Sequence, residues 1–339
     1  MKQSILILFS TLILWTGCVI YDEEGNDVIS EPTAFILCEG NFGSNNAALW
    51  SFTPNDSTTE TQILGGSLLG DVGQSLSYGN GHLYVVVNNS HKIKILSIDD
   101  EISHDGTISF DNASPRYLAI NGTIGYVSCW NLSAILVLDL SNHVVIDTIS
   151  LSGMPEYLIL DGTSLYASIP SNSDWSSSSI VVEISTISKE VIQTYEVISS
   201  PNDMELIGSH LFVASTYYGA NWATYTGISK IDLSSGTVTT FSDGSNSNIK
   251  GDLVKVGETL YRATRTGLAP VNVNLSLNLD GIIGGQSNVY SVAADDDYIY
   301  FGTTDYVAPD TVFVTNHNGS IVNQFIVGAI PGDFVTVMD

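Results

Sequence analysis

The chain has 339 residues and a formal charge of −26 at pH 7, from 36 acidic and only 10 basic side chains. This balance excludes nucleic acid as a partner and disfavours direct binding to anionic membrane surfaces. The composition is rich in Ser, Thr, Val, Ile, Tyr, Gly and Asn, with no long amphipathic helical pattern. The sequence therefore predicts an all-β protein.

The N-terminus has the pattern of a targeting signal. Lys2 precedes an apolar stretch, Ile5 to Trp15, that is too short to span a bilayer, and the stretch ends in the lipobox-like run Leu14-Trp15-Thr16-Gly17-Cys18. We predict a lipoprotein signal peptide over 1–17, lipidation at Cys18 and an acidic linker over 18–32. The alternative is a plain secretory signal followed by a chance cysteine.

A unit of about 40 residues recurs through the rest of the chain. Its mark is an aromatic residue in a short strand that follows a Gly-, Asn- or Asp-rich turn, and the copies are at Phe35, Tyr84, Tyr126, Tyr166, Phe212, Tyr261 and Tyr300. Asn-Gly and Asp-Gly pairs at 121–122 and 161–162 are good hairpin turns. Short strands at such a period predict a β-propeller over 33–339.

The two ends of this region complete each other. Residues 331–337 resemble a first strand with nothing after it, and residues 34–38 resemble a second strand with nothing before it. We therefore predict a seven-bladed β-propeller closed by pairing of the C-terminal strand with the N-terminal strands. Residues 270–280 have weak strand signals, so six or eight blades stay open. A pair of β-sandwiches and a β-solenoid are the alternative folds.

The loops between the second and third strands of each blade carry most of the unusual side chains. These loops share one face with the connections between blades. The predicted ligand-binding residues on this face and at its channel are Phe42, Gln74, Arg116, Trp130, Trp175, Tyr217, Tyr218, Trp222, Tyr225, Arg265 and Tyr306. Aromatic rings suit a bulky organic ligand, whereas packing between blades is the alternative for about half of them.

Cations and carboxylates are predicted close to the central channel. All three arginines, Arg116, Arg262 and Arg265, are expected at the same face, where they would bind phosphate or carboxylate, or pair with nearby Asp. The first strands begin with Gln74, Arg116, Glu156, Asn202, Asp203, Asp252, Asn288 and Asp333, which predicts a polar channel. No compact calcium loop or zinc spacing is present, so we predict no metal site.

Catalytic patterns are weak. Of the six histidines, only His91 is predicted on the loop face, and no nucleophile or metalloprotease motif occurs. We therefore predict no catalytic residue, no cofactor and no enzymatic activity. Cys38 and Cys129 are predicted in blades that are not neighbours, which argues against a disulfide between them.

Three segments carry a resemblance to a known group. The run Glu39-Gly40-Asn41-Phe42-Gly43 with its flanks, and the segments 70–75 and 83–90, resemble the opening blades of Bacteroidota surface lipoproteins with a YncE-like (YVTN-type) propeller. The BtuG-type cobalamin-binding lipoproteins belong to this group. The acidic residues Asp22, Glu23 and Glu24 after Cys18 resemble the surface-export signal of such lipoproteins.

The resemblance implies a function. It implies a surface-exposed outer-membrane lipoprotein, anchored only through lipid at Cys18, that binds a corrinoid (cobalamin) or a similar bulky small molecule. The ligand would be delivered to a TonB-dependent outer-membrane transporter. A surface interaction or adhesion propeller without a small ligand is the first alternative, and a propeller hydrolase or lactonase is the second.

Overall fold

The chain forms seven antiparallel sheets in a computed structural model that describes residues 33–56, 60–98, 102–307 and 309–337. The predicted signal peptide, Cys18 and the acidic linker lie outside these residues. The first strand of each sheet contacts the first strand of the next sheet, including that of the seventh sheet against the first, so the sheets form a closed ring. The fold is a seven-bladed β-propeller, and both the predicted fold class and the blade count are confirmed.

Strands are numbered in chain order. Blade 1 has the order β29-β1-β2-β3, with β1 Thr33–Cys38, β2 Ala48–Phe52, β3 Thr61–Gly65 and β29 Pro331–Val337. Blade 2 has β4 Gly73–Gly79, β5 His82–Val87, β6 Lys92–Ser97 and β7 Ser103–Ser109. Blade 3 has β8 Pro115–Asn121, β9 Ile124–Cys129, β10 Ala134–Asp139 and β11 Val144–Ser150. Blade 4 has β12 Gly153–Met154 and β13 Leu158–Asp161 as an interrupted first strand, then β14 Ser164–Asn172, β15 Ser177–Ser185 and β16 Val191–Glu196.

The remaining three blades differ in strand length. Blade 5 has β17 Pro201–Ile207, β18 His210–Tyr218, β19 Thr224–Asp232 and β20 Thr237–Ser245. Blade 6 has β21 Ile249–Val256, β22 Thr259–Thr264, β23 Gly267–Pro270 and β24 Ile283–Gly284. Blade 7 has β25 Val289–Ala294, β26 Tyr298–Thr303, β27 Asp310–Asn316 and β28 Ile321–Val327. Three short 3₁₀ helices span Gly66–Leu68, Ala220–Trp222 and Leu279–Gly281 among the described residues. None of the helices in the described ranges is long and apolar enough to cross a membrane.

The ring closes as the sequence predicts. Strand β29 pairs antiparallel with β1, with Phe35 opposite Val335 and Ile36 opposite Phe334. The last strand, β29, is therefore the innermost strand of blade 1, and the first strand, β1, is its neighbour. This pairing covers the inner edge of β1, which would otherwise expose unpaired backbone groups.

The core lies between neighbouring blades. Strand alternation sends one row of side chains to each side of a blade, and each row packs against the blade beside it. Between blades 2 and 3, for example, Tyr84, Val86 and Ile93 pack with Val127 and Leu138, and all five are buried. Cys38 and Cys129 are buried free thiols in such layers, and burial raises the pKa of Cys129 to about 12.

Two blades depart from the predicted boundaries. In blade 5, Tyr217, Tyr218 and Tyr225 lie in strands and not in the loop expected from the sequence, because β18 and β19 pair up to Tyr218 and Thr224. In blade 6 the loop between β22 and β23 has only Arg265 and Thr266, and β24 is only two residues long. The weak strand signals of 270–280 thus correspond to a long connection between β23 and β24.

Hydroxyl side chains connect the blades near the channel. Ser75 donates to the carbonyl of Arg116 (2.7 Å), Ser128 to that of Glu156 (2.6 Å) and Ser168 to that of Asn202 (2.8 Å). A register shift at the start of most first strands leaves these carbonyls outside the regular ladder. Each hydroxyl therefore donates a hydrogen bond to a carbonyl of the next blade that has no partner in the ladder of backbone hydrogen bonds between strands.

We predict that Ser128→Ala lowers the free energy of unfolding by about 1–3 kcal/mol, because it leaves buried polar groups unpaired. Ser128 Oγ donates to Glu156 and also accepts from the Tyr117 N–H at 3.0 Å. The check is urea denaturation, with Ser188→Ala on an exposed hairpin as the control. Equal stability of the two variants would contradict this role.

Candidate functional site

A cavity of about 810 Å³ opens on the face that carries the loops between second and third strands. Its walls come from these loops and from the connections between blades, as the sequence predicts for a binding face. Deeper in, it meets a second cavity of about 250 Å³ along the ring axis. The two cavities share the residues Tyr117, Glu156, Asn202, Gly251, Asp252 and Gly332. The site is therefore a funnel that narrows into the central channel.

Arg116 lies at the neck of the funnel. Its Nε and Nη2 donate to the two carboxylate oxygens of Glu156 at 2.9 and 2.7 Å, and Nη1 donates to Gln74 Oε1. The guanidinium carbon lies 4.1 Å from the centre of the Trp130 ring. Burial lowers the pKa of Arg116, but the carboxylate of Glu156 outweighs it, so the pKa stays above the ordinary value. Arg116 is thus engaged by protein groups on its edges and on one face.

Glu39 adds a second carboxylate to the funnel. It follows β1 directly, and its Oε1 accepts a hydrogen bond of 2.8 Å from the Tyr290 hydroxyl. Burial raises the pKa of Glu39, whereas Tyr290 and Arg116 lower it. Gly332 makes room for this side chain, because a Cβ at 332 would lie 2.7 Å from Glu39 Cγ. Sequence reasoning missed Glu39 as a site residue. Its position directly after the second strand of blade 1 places it in a loop of the binding face and could have indicated it.

Three exposed aromatic residues form the rim: Phe42, Tyr218 and Tyr306. Phe42 belongs to a loop that is held from both sides. The Asp71 carboxylate accepts from the Gly43 N–H (2.9 Å), and Asn41 Nδ2 donates to the Tyr306 carbonyl (3.0 Å). Hydrogen bonds therefore hold the backbone of the Phe42 loop, and the three rings of the rim face solvent.

Six of the eleven predicted binding residues line the cavity. They are Phe42, Gln74, Arg116, Tyr218, Arg265 and Tyr306. Trp130 lies behind Arg116, and Trp175 packs edge-on against Trp130 with 6.0 Å between ring centres. These two rings therefore lie behind Arg116 and do not line the cavity.

The other three predicted residues are directed away from the cavity. Tyr217 and Tyr225 are cross-strand partners in β18 and β19, and their rings stack at 5.5 Å. Successive side chains of a strand point to opposite faces. Thr216, Tyr218 and Thr224 line the cavity, so Tyr217 and Tyr225, their neighbours in β18 and β19, do not. The side chain of Trp222 is 83% exposed and contacts Tyr218 rather than the funnel.

The prediction that all three arginines serve the funnel is wrong for Arg262. This side chain is fully buried between blades 5 and 6, where Nη1 donates to the Gly227 carbonyl (2.6 Å) and Nη2 to the Ser215 carbonyl (2.8 Å). Its guanidinium also lies 3.7 Å from the Asp243 carboxylate. Burial lowers the pKa of Arg262 to about 10. Its role is to join two blades.

The inner channel is lined by carboxyl groups. Asp203 accepts the N–H of Leu253 at 2.6 Å, and Asp333 accepts that of Leu76 at 2.7 Å. Burial raises the pKa of Asp333 to about 7 and that of Glu205 to about 7. In blade 7 the funnel residue is Tyr290 and not the predicted Asn288. Within the described ranges, no three His, Cys, Asp or Glu side chains are grouped so as to hold a metal ion, and no histidine lines either cavity.

Comparison with known proteins supports the fold. No family model and no curated protein sequence matches the chain. A candidate 6-phosphogluconolactonase from Bacteroides fragilis is 14% identical, with a TM-score of 0.66 over 91% of this chain and 98% of its own. Another candidate 6-phosphogluconolactonase, from Bacteroides uniformis, is 15% identical, with a TM-score of 0.65 over 91% and 100%. Apo AztD from Citrobacter koseri is 10% identical, with a TM-score of 0.58 over 91% and 98%. At these identities the likeness establishes a shared propeller fold.

We predict that thermal stability falls as pH rises from 5 to 8. Glu205 and Asp333 have folded pKa values near 7, above their ordinary values of 4.5 and 3.8. The folded chain therefore binds more protons than the unfolded chain between about pH 4 and 7, and the stability present below this window is lost as pH rises through it. Glu205→Gln should flatten the fall in melting temperature, whereas Glu258→Gln, at an exposed site, should not. A wild-type melting temperature that rises from pH 5 to 8 would contradict the prediction.

Proposed function

We propose that the protein is a ligand-capture propeller whose funnel binds a bulky small molecule, most specifically a corrinoid such as cobalamin. The observation that carries the proposal is the open cavity of about 810 Å³ with an aromatic rim and a polar floor. A site of this size can bury a large part of such a ligand. The rings of Phe42, Tyr218 and Tyr306 offer apolar contact area at the mouth.

The floor suits a ligand with many amide groups and little net charge. Gln74, Asn88 and Asn202 line it. Gln74 Nε2 and Asn202 Nδ2 remain as donors and Asn88 Oδ1 as an acceptor, because the other amide atom of each side chain is hydrogen-bonded within the protein. The charged lining residues nearly balance, with Arg116 and Arg265 against Glu39, Glu156 and Asp252. A corrinoid carries amide side chains around its ring, which matches this lining.

The cellular setting belongs to the same proposal. The lipobox-like segment supports anchoring at Cys18, and the acidic residues behind it support export to the outer-membrane surface. A propeller held there would pass its ligand to a TonB-dependent transporter. A surface interaction or adhesion role without a small ligand remains the alternative, in which the funnel would bind no corrinoid.

We expect saturable one-to-one binding of cyanocobalamin to the chain from residue 19 onward, which retains every strand of the ring. Phe42→Ala should weaken binding by about 2 kcal/mol, because it removes an exposed rim ring that lines the cavity. Trp222→Ala is the matched control, since this ring is equally exposed on the same face but does not line the cavity.

The measurement is isothermal titration calorimetry. Absence of heat at micromolar cyanocobalamin would reject the corrinoid. A larger loss for Trp222→Ala than for Phe42→Ala would show that the ligand lies outside the funnel, against the rim that we assign.

A second candidate function is lactone hydrolysis. It is favoured by the fold shared with the two candidate 6-phosphogluconolactonases and by Glu39, a carboxylate in the funnel whose pKa is raised by burial. A carboxylate with a raised pKa is a suitable general base for activating water near neutral pH.

If this candidate is right, the protein hydrolyses 6-phosphogluconolactone, and Glu39→Gln lowers kcat by about 100-fold or more, because general-base catalysis contributes at least that much. The assay follows 6-phosphogluconate release against spontaneous hydrolysis. Glu258→Gln, at an exposed site outside the funnel, serves as the control. A rate equal to the uncatalysed one would exclude the activity.

A further inference from the structure

The two arginines that line the funnel differ in what their guanidinium groups contact. Arg116 donates from both edges to Glu156 and Gln74 and stacks on Trp130. Arg265 makes one described side-chain hydrogen bond, from Nε to the Ser247 carbonyl at 3.1 Å. Its two terminal nitrogens carry four N–H groups with no acceptor among the described residues. Arg265 therefore offers a ligand four N–H groups without a described acceptor, whereas Arg116 offers two.

The backbone holds Arg265 in place. It occupies the two-residue turn between β22 and β23, and its N–H donates to the Asn248 carbonyl at 2.7 Å. Its own carbonyl accepts from the Val289 N–H at 3.2 Å. These bonds tie the turn to the connections on both sides of blade 6. The corresponding connections of the flanking blades are longer, and Tyr218 and Tyr306 from those blades line the same cavity as Arg265.

The neighbouring lining residues are hydrogen-bond donors. We define the blade 5–6 wall as Thr216, Tyr218, Thr224, Ser247 and Arg265, all of which line the cavity. Four of them carry hydroxyl groups, and none is a carboxylate. The Thr216 hydroxyl is buried and has no described hydrogen-bond partner. An unpaired buried hydroxyl in a cavity wall is costly unless a ligand or water satisfies it.

The carboxylates of the funnel lie elsewhere. Glu39 comes from blade 1 and Glu156 from blade 4, and Asp252 is on the first strand of blade 6, at the floor. An anionic group would be repelled from these positions. In a chain with a formal charge of −26, an anion can bind only where a local cation and donors outweigh the overall field.

We propose that the blade 5–6 wall is an anion subsite that takes a phosphate group of the ligand, with Arg265 as its main contact. The proposal rests on the proposed binding function of the funnel and assigns the orientation of the ligand in it. Guanidinium and hydroxyl donors are the groups that bind phosphate oxygens in proteins. Two sources share this chemistry: the phosphodiester of the cobalamin nucleotide loop and the phosphomonoester of a phosphosugar lactone.

The test uses pairs of probes that differ in phosphate. Cyanocobalamin is compared with dicyanocobinamide, which lacks the nucleotide phosphate, and 6-phosphogluconate is compared with gluconate. Each is titrated into the wild type, Arg265→Gln and the control Lys255→Gln, whose side chain pairs with Glu258 at the opposite end of β21 from the funnel. Thr216→Val, which replaces the unpaired hydroxyl with a methyl group of similar size, is a second variant.

We expect Arg265→Gln to weaken the phosphate-bearing member of at least one pair by about tenfold or more, since hydrogen bonds to charged groups are worth that much. Its phosphate-free counterpart should bind with unchanged affinity, and Lys255→Gln should change neither. Thr216→Val should give a smaller loss with the same selectivity. The pair that responds identifies the source of the phosphate.

Three outcomes would overturn the subsite. They are equal losses for both members of every pair that binds, equal affinity of the wild type for both members of each pair, or no binding of any probe. Tight but phosphate-independent corrinoid binding would reject the subsite and keep the corrinoid function. Arg265-dependent binding of 6-phosphogluconate without corrinoid binding would keep the subsite and reject the corrinoid. The two failures are therefore distinguishable.

Discussion

The ring depends on side-chain hydrogen bonds to the backbone of the next blade. Propeller blades meet through apolar faces, which can slide, so the polar inner ends must set their relative positions. Every one of the seven boundaries has such a bond. Ser75, Ser128, Ser168 and Ser291 donate to carbonyls across four of them, and Asp333, Asp203 and Asp252 accept N–H groups across the other three. Because these bonds reach the first strands where the ladder is irregular, they also set where the funnel floor lies.

Arg116 illustrates how the same groups serve the fold and the site. Its partner Glu156 lies one blade further along the chain, and the carbonyls of both residues accept serine hydroxyls. The bidentate pair lines the funnel where it meets the channel, and Trp130 covers one face of the Arg116 guanidinium. A charged pair in this position is costly to desolvate, but both carboxylate oxygens of Glu156 and three of the five N–H groups of Arg116 are hydrogen-bonded. The funnel thus has a base held by contacts within the protein, and the proposed ligand contacts lie elsewhere, at Glu39, Arg265 and the aromatic rim.

Much of the fold could be predicted from the sequence, because the blade period, the hairpin glycines and the complementary chain ends are local signals. The loop face could be predicted for the same reason. The detail of the site could not. Tyr217 and Tyr225 looked like loop residues, since a strand made of Thr and Tyr has no apolar alternation to reveal that it continues. Arg116 and Arg262 looked available because their partners, Glu156 and the blade 5 carbonyls, are 30 or more residues distant in the chain and only the register brings them together.

The pairing of β29 with β1 has a consequence for how the protein is made. The innermost strand of the first blade is the last of the described strands in chain order, so the ring cannot close until residues 331–337 have been synthesised. Until then the inner edge of β1 is unpaired, and β25 of the seventh blade lacks its contact with β29. Ring closure therefore depends on the synthesis of β29. A polypeptide cut short before residue 331 would keep the inner edge of β1 unpaired, and an unpaired strand edge is a site for aggregation.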